Sequence, residues 1–251
     1  MTDAEKAAHL AAVMGTCLLS SGSEIFRVED TIRYVTSAYD YRDVEVFTIT
    51  NGLFIMIHEN GRTLGGHIGE VPRPSVNLKK VSLMNQLSRE ITEGRHTLDE
   101  AIVLAENIAA FHPAFSIKDM LAAGIGAGAF CYIFGGPLSD CFFAFIIGFI
   151  LWKLFVSFHT SGRSRKVLQH ITVSFFAALA VLLLNRAGLV HNMDATMIGS
   201  IIPLIPGVSF INGVRDLADG DYISGSIRLL DAVLIFICIA AGVALAMRIL
   251  I

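Results

Sequence analysis

Beyond Lys118 the chain carries almost no charge except at widely spaced points, and this constrains its fold more than any other feature. Twenty uncharged residues separate Asp119 from Asp140, 19 separate Lys166 from Arg186, and 20 separate Asp194 from Arg215. Arg228 to Arg248 encloses 19 more with only Asp231 among them, and Cys141 to Phe158 is interrupted only by Lys153. A helix rises about 1.5 Å per residue, so about 20 apolar residues cross the hydrocarbon of a bilayer. The pattern predicts five spans, with the Lys153 ammonium snorkelling to the interface. Residues 119–251 hold 8 Lys/Arg, 7 Asp and no Glu, whereas residues 1–118 hold 11 Lys/Arg against 15 Asp/Glu. The expected architecture is an α+β cytoplasmic domain (1–117) followed by an all-α membrane bundle of five transmembrane helices (118–251). A disordered chain is excluded, and the acidic front half gives no support for nucleic-acid binding.

Basic residues in short loops set the orientation. The second and fourth connections hold Arg163, Arg165, Lys166, Arg215 and Arg228, the first holds none, and the third holds only Arg186. A multi-pass protein of the cell (inner) membrane is expected, with a cytoplasmic N-terminus and the C-terminus outside, surrounded by lipid. Residues 1–23 lack a basic segment followed by an apolar core, so the first span is expected to serve as the insertion signal. Cys17, Cys131, Cys141 and Cys238 have no paired spacing, and neither a metal nor a cofactor is expected.

In the front half, residues 4–21 and 24–39 have helical apolar spacing, with Ser23 as the expected cap of the second helix. Val44, Val46 and Thr48 then alternate with Glu45, Phe47 and Ile49, and Leu53 to Ile57 returns. Asn51-Gly52 between them predicts a two-residue hairpin turn, because this pair tolerates the positive φ of a type I′ turn. A third strand is expected over Thr63 to Val71, ended by Pro72 and Pro74. Helices follow at 77–93 and 97–111, stopped by Pro113.

Several groups are candidates for chemistry. Gly124, Gly126 and Ala129 match a dinucleotide-binding spacing but lie inside an apolar span; close helix packing through Gly124 and Gly128 is the better account. Pro203, Pro206 and Gly207 interrupt the fourth span. Each proline removes an amide donor, so the helix is either kinked or broken, and broken helices form substrate sites in many transporters. Asn212, Arg215, Asp216, Arg228 and Asp231 follow. Arg228 and Asp231 are three apart and can pair on one helix face. Asp231 either sits at the interface or carries a proton or substrate coupling role, the default for an ionisable group in a span. Asp140 reads as a span boundary. In the front half Ser21, Gly22, Glu24, Arg27 and Glu29 form a polar run that is either a surface network or a binding element. His58 and His67 lie on adjacent expected strands and can face each other. No catalytic constellation is readable.

The run Ser21-Gly22-x-Glu24-x-x-Arg27-Val28-Glu29-Asp30-Thr31, then Val44 to Phe47 and Gly52-Leu53-Phe54, resembles the N-terminal part of the threonine/serine exporter (ThrE) family. So does Pro203-x-x-Pro206-Gly207 with Asn212, Arg215-Asp216-Leu217, Gly220-Asp221, Gly225 and Arg228. The resemblance implies a non-enzymatic, proton-coupled exporter of small polar metabolites. Full-length members carry a second, smaller membrane module, which this sequence lacks. It therefore resembles the split, YjjP-type form that works as a hetero-oligomer with a separate YjjB-type small membrane subunit. Split systems imply succinate as cargo and fused ones threonine and serine. Competing readings are a membrane-anchored hydrolase, or a metabolite-sensing scaffold with a cytoplasmic ligand-binding domain.

Overall fold

A computed structural model describes residues 1–59, 61–72, 76–111, 116–158 and 163–250, so Pro74 and Pro113, expected as terminators, lie outside the described residues. By contact the chain forms two units. One is Met1–His112 with Gly207–Leu230, and the other is Pro113–Pro206 with Asp231–Ile251.

The first unit begins with α1 (Asp3–Ser20), started by a capping box in which Thr2 and Glu5 satisfy each other's amides. α1 is alanine-rich and buried along most of its length, so it serves as the central rod of this core. Around it lie α2 (Ile25–Ala38), the antiparallel strands β1 (Asp43–Ile49), β2 (Gly52–Glu59) and β3 (Arg62–Glu70), then α3 (Leu78–Thr92) and α4 (Leu98–Ala110). Strand alternation places Leu53, Ile55 and Ile57 inward with Leu10, Met14, Leu18, Ile32 and Met84, all fully buried. Each such side chain contributes about 1.5–3 kcal/mol of transfer free energy. The expected alternation of β1 holds, with Val44 and Thr48 buried and Glu45 and Phe47 exposed.

Three local expectations are corrected. The hairpin turn is Thr50-Asn51 rather than Asn51-Gly52, because Gly52 already pairs with Ile49. Among the described residues the only non-glycine with positive φ is Asp40, so the type I′ chemistry of Asn-Gly is unused. Tertiary contacts set this register: Thr50 is buried, its hydroxyl donates to the Ser224 carbonyl (3.4 Å), and the Asn51 carbonyl accepts from the Val71 amide (3.0 Å). Next, the cap of α2 is Glu24, not Ser23, and it makes no side-chain capping bond. Finally, His58 stands opposite Thr63 and His67 opposite Ile55, so the two histidines do not face each other.

The second unit contains α5 (Ile117–Ile133), α6 (Leu138–Ser157), α7 (Arg163–Arg186), α8 (Met193–Ile201) and a 3-10 turn (Ile202–Leu204). In the first unit α9 (Gly207–Ala218) follows, and α10 (Tyr222–Leu250) begins there and ends in the second. Ile147, Leu151, Val173, Val181, Ile235 and Ile239 form the second core. Ile125, Phe142, Ile150, Leu183 and Ile237 are exposed, as side chains solvated by lipid tails would be. Close packing explains Gly124 and Gly128: a Cβ at Gly124 would lie 2.9 Å from the Phe145 carbonyl oxygen, and one at Gly128 3.0 Å from that of Cys141. Cys17, Cys131 and Cys238 are buried free thiols.

The protein is mostly helical, but the expected five spans are not all met. Among the described residues three helices are long and apolar enough to cross a membrane: Leu138–Ser157, Lys166–Arg186 and Tyr222–Leu250. A fourth span exists if the broken pair Met193–Leu204 and Gly207–Ala218 is counted as one. α5 falls short because it has 17 residues, starts with Lys118 and Asp119, and ends at Gly135-Gly136-Pro137. Its rise is about 25 Å, against about 30 Å of hydrocarbon.

Candidate functional site

Two helix ends in the first unit are built alike. α1 stops at Gly22 (φ 88°), where the Ser23 amide donates to the Leu18 carbonyl and the Gly22 amide to that of Leu19. α9 stops at Gly220 (φ 92°), where the Asp221 amide donates to Asp216 and the Gly220 amide to Leu217. Both are Schellman ends, whose left-handed residue glycine occupies without steric cost. The second makes α9 and the start of α10 a tight helical hairpin. A Cβ on Gly225 would lie 2.8 Å from the Gly213 carbonyl oxygen and from the Leu217 amide nitrogen, so the backbones touch there.

This hairpin meets the turn between α1 and α2 in one polar cluster. The Asn212 side-chain amide donates to the Gly22 carbonyl at 2.8 Å. Arg215 is ion-paired and hydrogen-bonded through Nη1 to Glu24 Oε1, while Arg27 Nε lies 2.9 Å from Glu24 Oε2. Arg228 is buried, donates from Nη2 to the Ser23 carbonyl (2.9 Å), and has Nε 3.3 Å from Asp216 Oδ2. The Ile25 amide also donates to Asp216, which is 2% exposed. A 3.3 Å separation is long for a charge-assisted hydrogen bond, so the pair is held by charge more than by alignment. Ser21 is buried beside this turn, and its carbonyl accepts from the Asn77 amide. Of the polar run in the front half, Gly22 and Glu24 bond directly to the late segment, Arg27 reaches it only through Glu24, and Ser21 bonds to Asn77.

Two acids at the edge of the cluster lie outside the candidate spans. Burial raises the Glu29 carboxyl above its usual range, opposed by the nearby Arg33 charge and a hydrogen bond from Thr48. Burial likewise raises Asp221, opposed by Arg228 and by the Ser224 hydroxyl. Both hold a proton nearer neutrality than a surface carboxylate would.

The expected Arg228–Asp231 pair is not formed. Arg228 takes Asp216, and Asp231 instead accepts from Lys166 Nζ at 2.6 Å within the second unit. Sequence spacing finds partners three or four residues apart on a helix but not those from another element. Pro203 sits in the 3-10 turn, Ile205 is extended (φ −71°, ψ 129°), and Gly207 opens α9 after Pro206, so the helix is interrupted here as expected. Asp140 is more than a boundary: it is fully buried and accepts from the His191 and Asn192 amides at 2.9 and 2.6 Å, ahead of α8. Thr50, Ser224 and Lys166 were not anticipated. Only Lys166 left a trace in the sequence, as a cation at the end of one span with an acid of opposite sign inside another.

A family profile described as "Putative threonine/serine exporter" matches residues 9–250. The threonine/serine exporter of Corynebacterium glutamicum is 25% identical over 247 residues, 96% of this chain and 50% of its own length. An uncharacterized protein of Schizosaccharomyces pombe is 22% identical over 175 residues, 66% of this chain and 21% of its own. The chain thus spans half or less of the length of these curated relatives. No solved structure matches.

Proposed function

Since the chain belongs to the threonine/serine exporter family ThrE, we propose that it is one subunit of a secondary, proton-coupled exporter that works with a separate small membrane subunit of the YjjB type. The family is one of transporters rather than enzymes, and the long apolar helices fit a multi-pass membrane protein. In this reading the front residues and the N-terminus are cytoplasmic and the C-terminus lies outside, in keeping with the basic residues of the connections. The chain matches half of the Corynebacterium exporter, and the proposal assigns the work of the other half to the second subunit.

The observation that carries the reading is the convergence of Gly22, Glu24 and Arg27 with Asn212, Arg215, Asp216 and Arg228. Two guanidiniums, Arg215 and Arg228, are each held by a protein carboxylate. A cargo carboxylate has the same charge and fork shape as Asp216 or Glu24 and can exchange with either. Succinate, threonine and serine share that group. The buried acids Glu29 and Asp221, which hold protons readily, give the exchange a proton partner. The break at Pro203 to Gly207 is a separate candidate, since interrupted helices form substrate sites in many transporters.

Efflux of labelled succinate and labelled threonine from cells tests the reading, with this chain, the small membrane subunit, or both expressed. Export is expected only with both, and the preferred label names the cargo. Export by this chain alone would remove the two-subunit proposal.

A further inference from the structure

The helix α7 carries a polar stripe inside an otherwise apolar span. Lys166, Gln169, His170 and Ser174 recur at helical spacing, and all but Lys166 are at least nine-tenths buried. His170 is 5% exposed, between the edge of the Phe155 ring (centroids 5.3 Å apart, 79°) on α6 and the start of the span. Its Nδ1 lies 2.8 Å from the Lys166 carbonyl oxygen. A carbonyl can only accept, so Nδ1 carries the hydrogen and Nε2 of the neutral ring keeps its lone pair. Among the described residues the charged groups acting on the ring are Lys166 on its own helix and Asp231 on α10, themselves paired at 2.6 Å. From α6 the neutral Phe155 ring packs against it, and Gln169 and Ser174 are tied to the Phe155 and His170 carbonyls.

We propose that His170 is a proton-carrying residue of export in addition to the acids of the first unit, with Lys166 and Asp231 as the charge pair that its protonation rearranges. The inference rests on the proton-coupled reading above. The Nε2 lone pair takes one proton from the side where protons are abundant. The ring becomes an imidazolium, and its Nδ1–H stays on the Lys166 carbonyl. The imidazolium is then repelled by Lys166 on its own helix and attracted by Asp231 on α10, so one carboxylate is shared between two cations and the Lys166–Asp231 contact rearranges. Loss of the same proton from Nε2 to the other side restores the pair. An imidazole is suited to this because its charge changes between about pH 5 and 8, where neither Lys nor an ordinary carboxylate does. An ionisable group buried inside a span is by default a functional candidate.

The test uses the full chain with its small membrane subunit in proteoliposomes, comparing wild type with His170→Gln. Two fluxes are read: efflux driven by an imposed pH gradient, and exchange of labelled for unlabelled cargo without a gradient. His170→Gln should cut the first on the order of a hundredfold and leave the second nearly unchanged. Wild-type gradient-driven flux in the variant overturns the assignment. Net efflux in the wild type that does not respond to the imposed pH gradient overturns the proton-coupled reading and this inference with it. If the variant does not insert, nitrogen-15 NMR of histidine-labelled wild-type protein decides. One ring should stay protonated at Nδ1 throughout while gaining a proton at Nε2 over the pH range in which export rises. Spectra with no such ring contradict the proposal.

Discussion

The buried pair of Arg228 and Asp216 allows structural and functional roles to be separated. Arg228 faces Asp216, Asp221 and Glu24, and of these Glu24 has two other cations, Arg215 and Arg27. Arg228→Met therefore strands Asp216 without a cation, whereas Asp216→Leu leaves Arg228 with Asp221 nearby. Breaking one side of a buried pair costs about 3–5 kcal/mol, so Arg228→Met should sit at the upper end and Asp216→Leu at the lower. At about 2–4 °C per kcal/mol for a chain of this size, the losses correspond to about 6–20 °C in Tm. The double variant removes both charges and should be more stable than Arg228→Met alone, with a coupling of about 2 kcal/mol or more. Thermal unfolding in detergent, followed by far-UV circular dichroism, reads all three. Fluorescence is unsuitable, because the single tryptophan, Trp152, lies on α6 in the other unit. A coupling below about 0.5 kcal/mol would refute the pairing energetics. Export by the double variant should stay lost although its fold is recovered. Wild-type export there would make the cluster a scaffold only.

Other substitutions probe neighbouring parts. Because burial raises Glu29, the folded state binds more protons than the unfolded chain above the unfolded value near 4.5, and stability falls as pH rises through the raised folded value. Glu29→Gln should therefore raise Tm at pH 7 and flatten its decline with pH; a lower Tm at pH 7 would contradict the burial account. Gly225→Leu should force α9 and α10 apart and cost about 1–3 kcal/mol or more, read by the same unfolding assay, whereas an unchanged Tm would mean the backbones do not touch. Pro206→Ala should reduce export in the cell efflux assay if the interrupted helix serves transport, and unchanged export would leave it as a kink.

Local chemistry made much of the fold legible. The helical apolar spacing over residues 4–21, the alternation from Val44 to Thr48 and the breaks at Pro203 and Pro206 act within a few residues, and each marks its element in the sequence. The turn at Thr50-Asn51 was not legible, because a contact to Ser224 across 174 residues, and not the Asn-Gly preference, sets the register. The same limit hid the partners of Arg228 and Asp231. Spacing offers only the residue one turn away, while the fold supplies Asp216 and Lys166 from other elements. The count of uncharged residues overstated the length of α5, because it ran across Gly135, Gly136 and Pro137, where the helix has already ended.

The proposed proton-coupled export of a small carboxylate is measured most directly in proteoliposomes holding this chain and the proposed small membrane subunit, loaded with labelled succinate or threonine. An imposed proton gradient should drive efflux of at least one label, and a protonophore should stop it. Efflux that persists unchanged when the gradient is collapsed, or none of either label with both subunits present, would contradict the account.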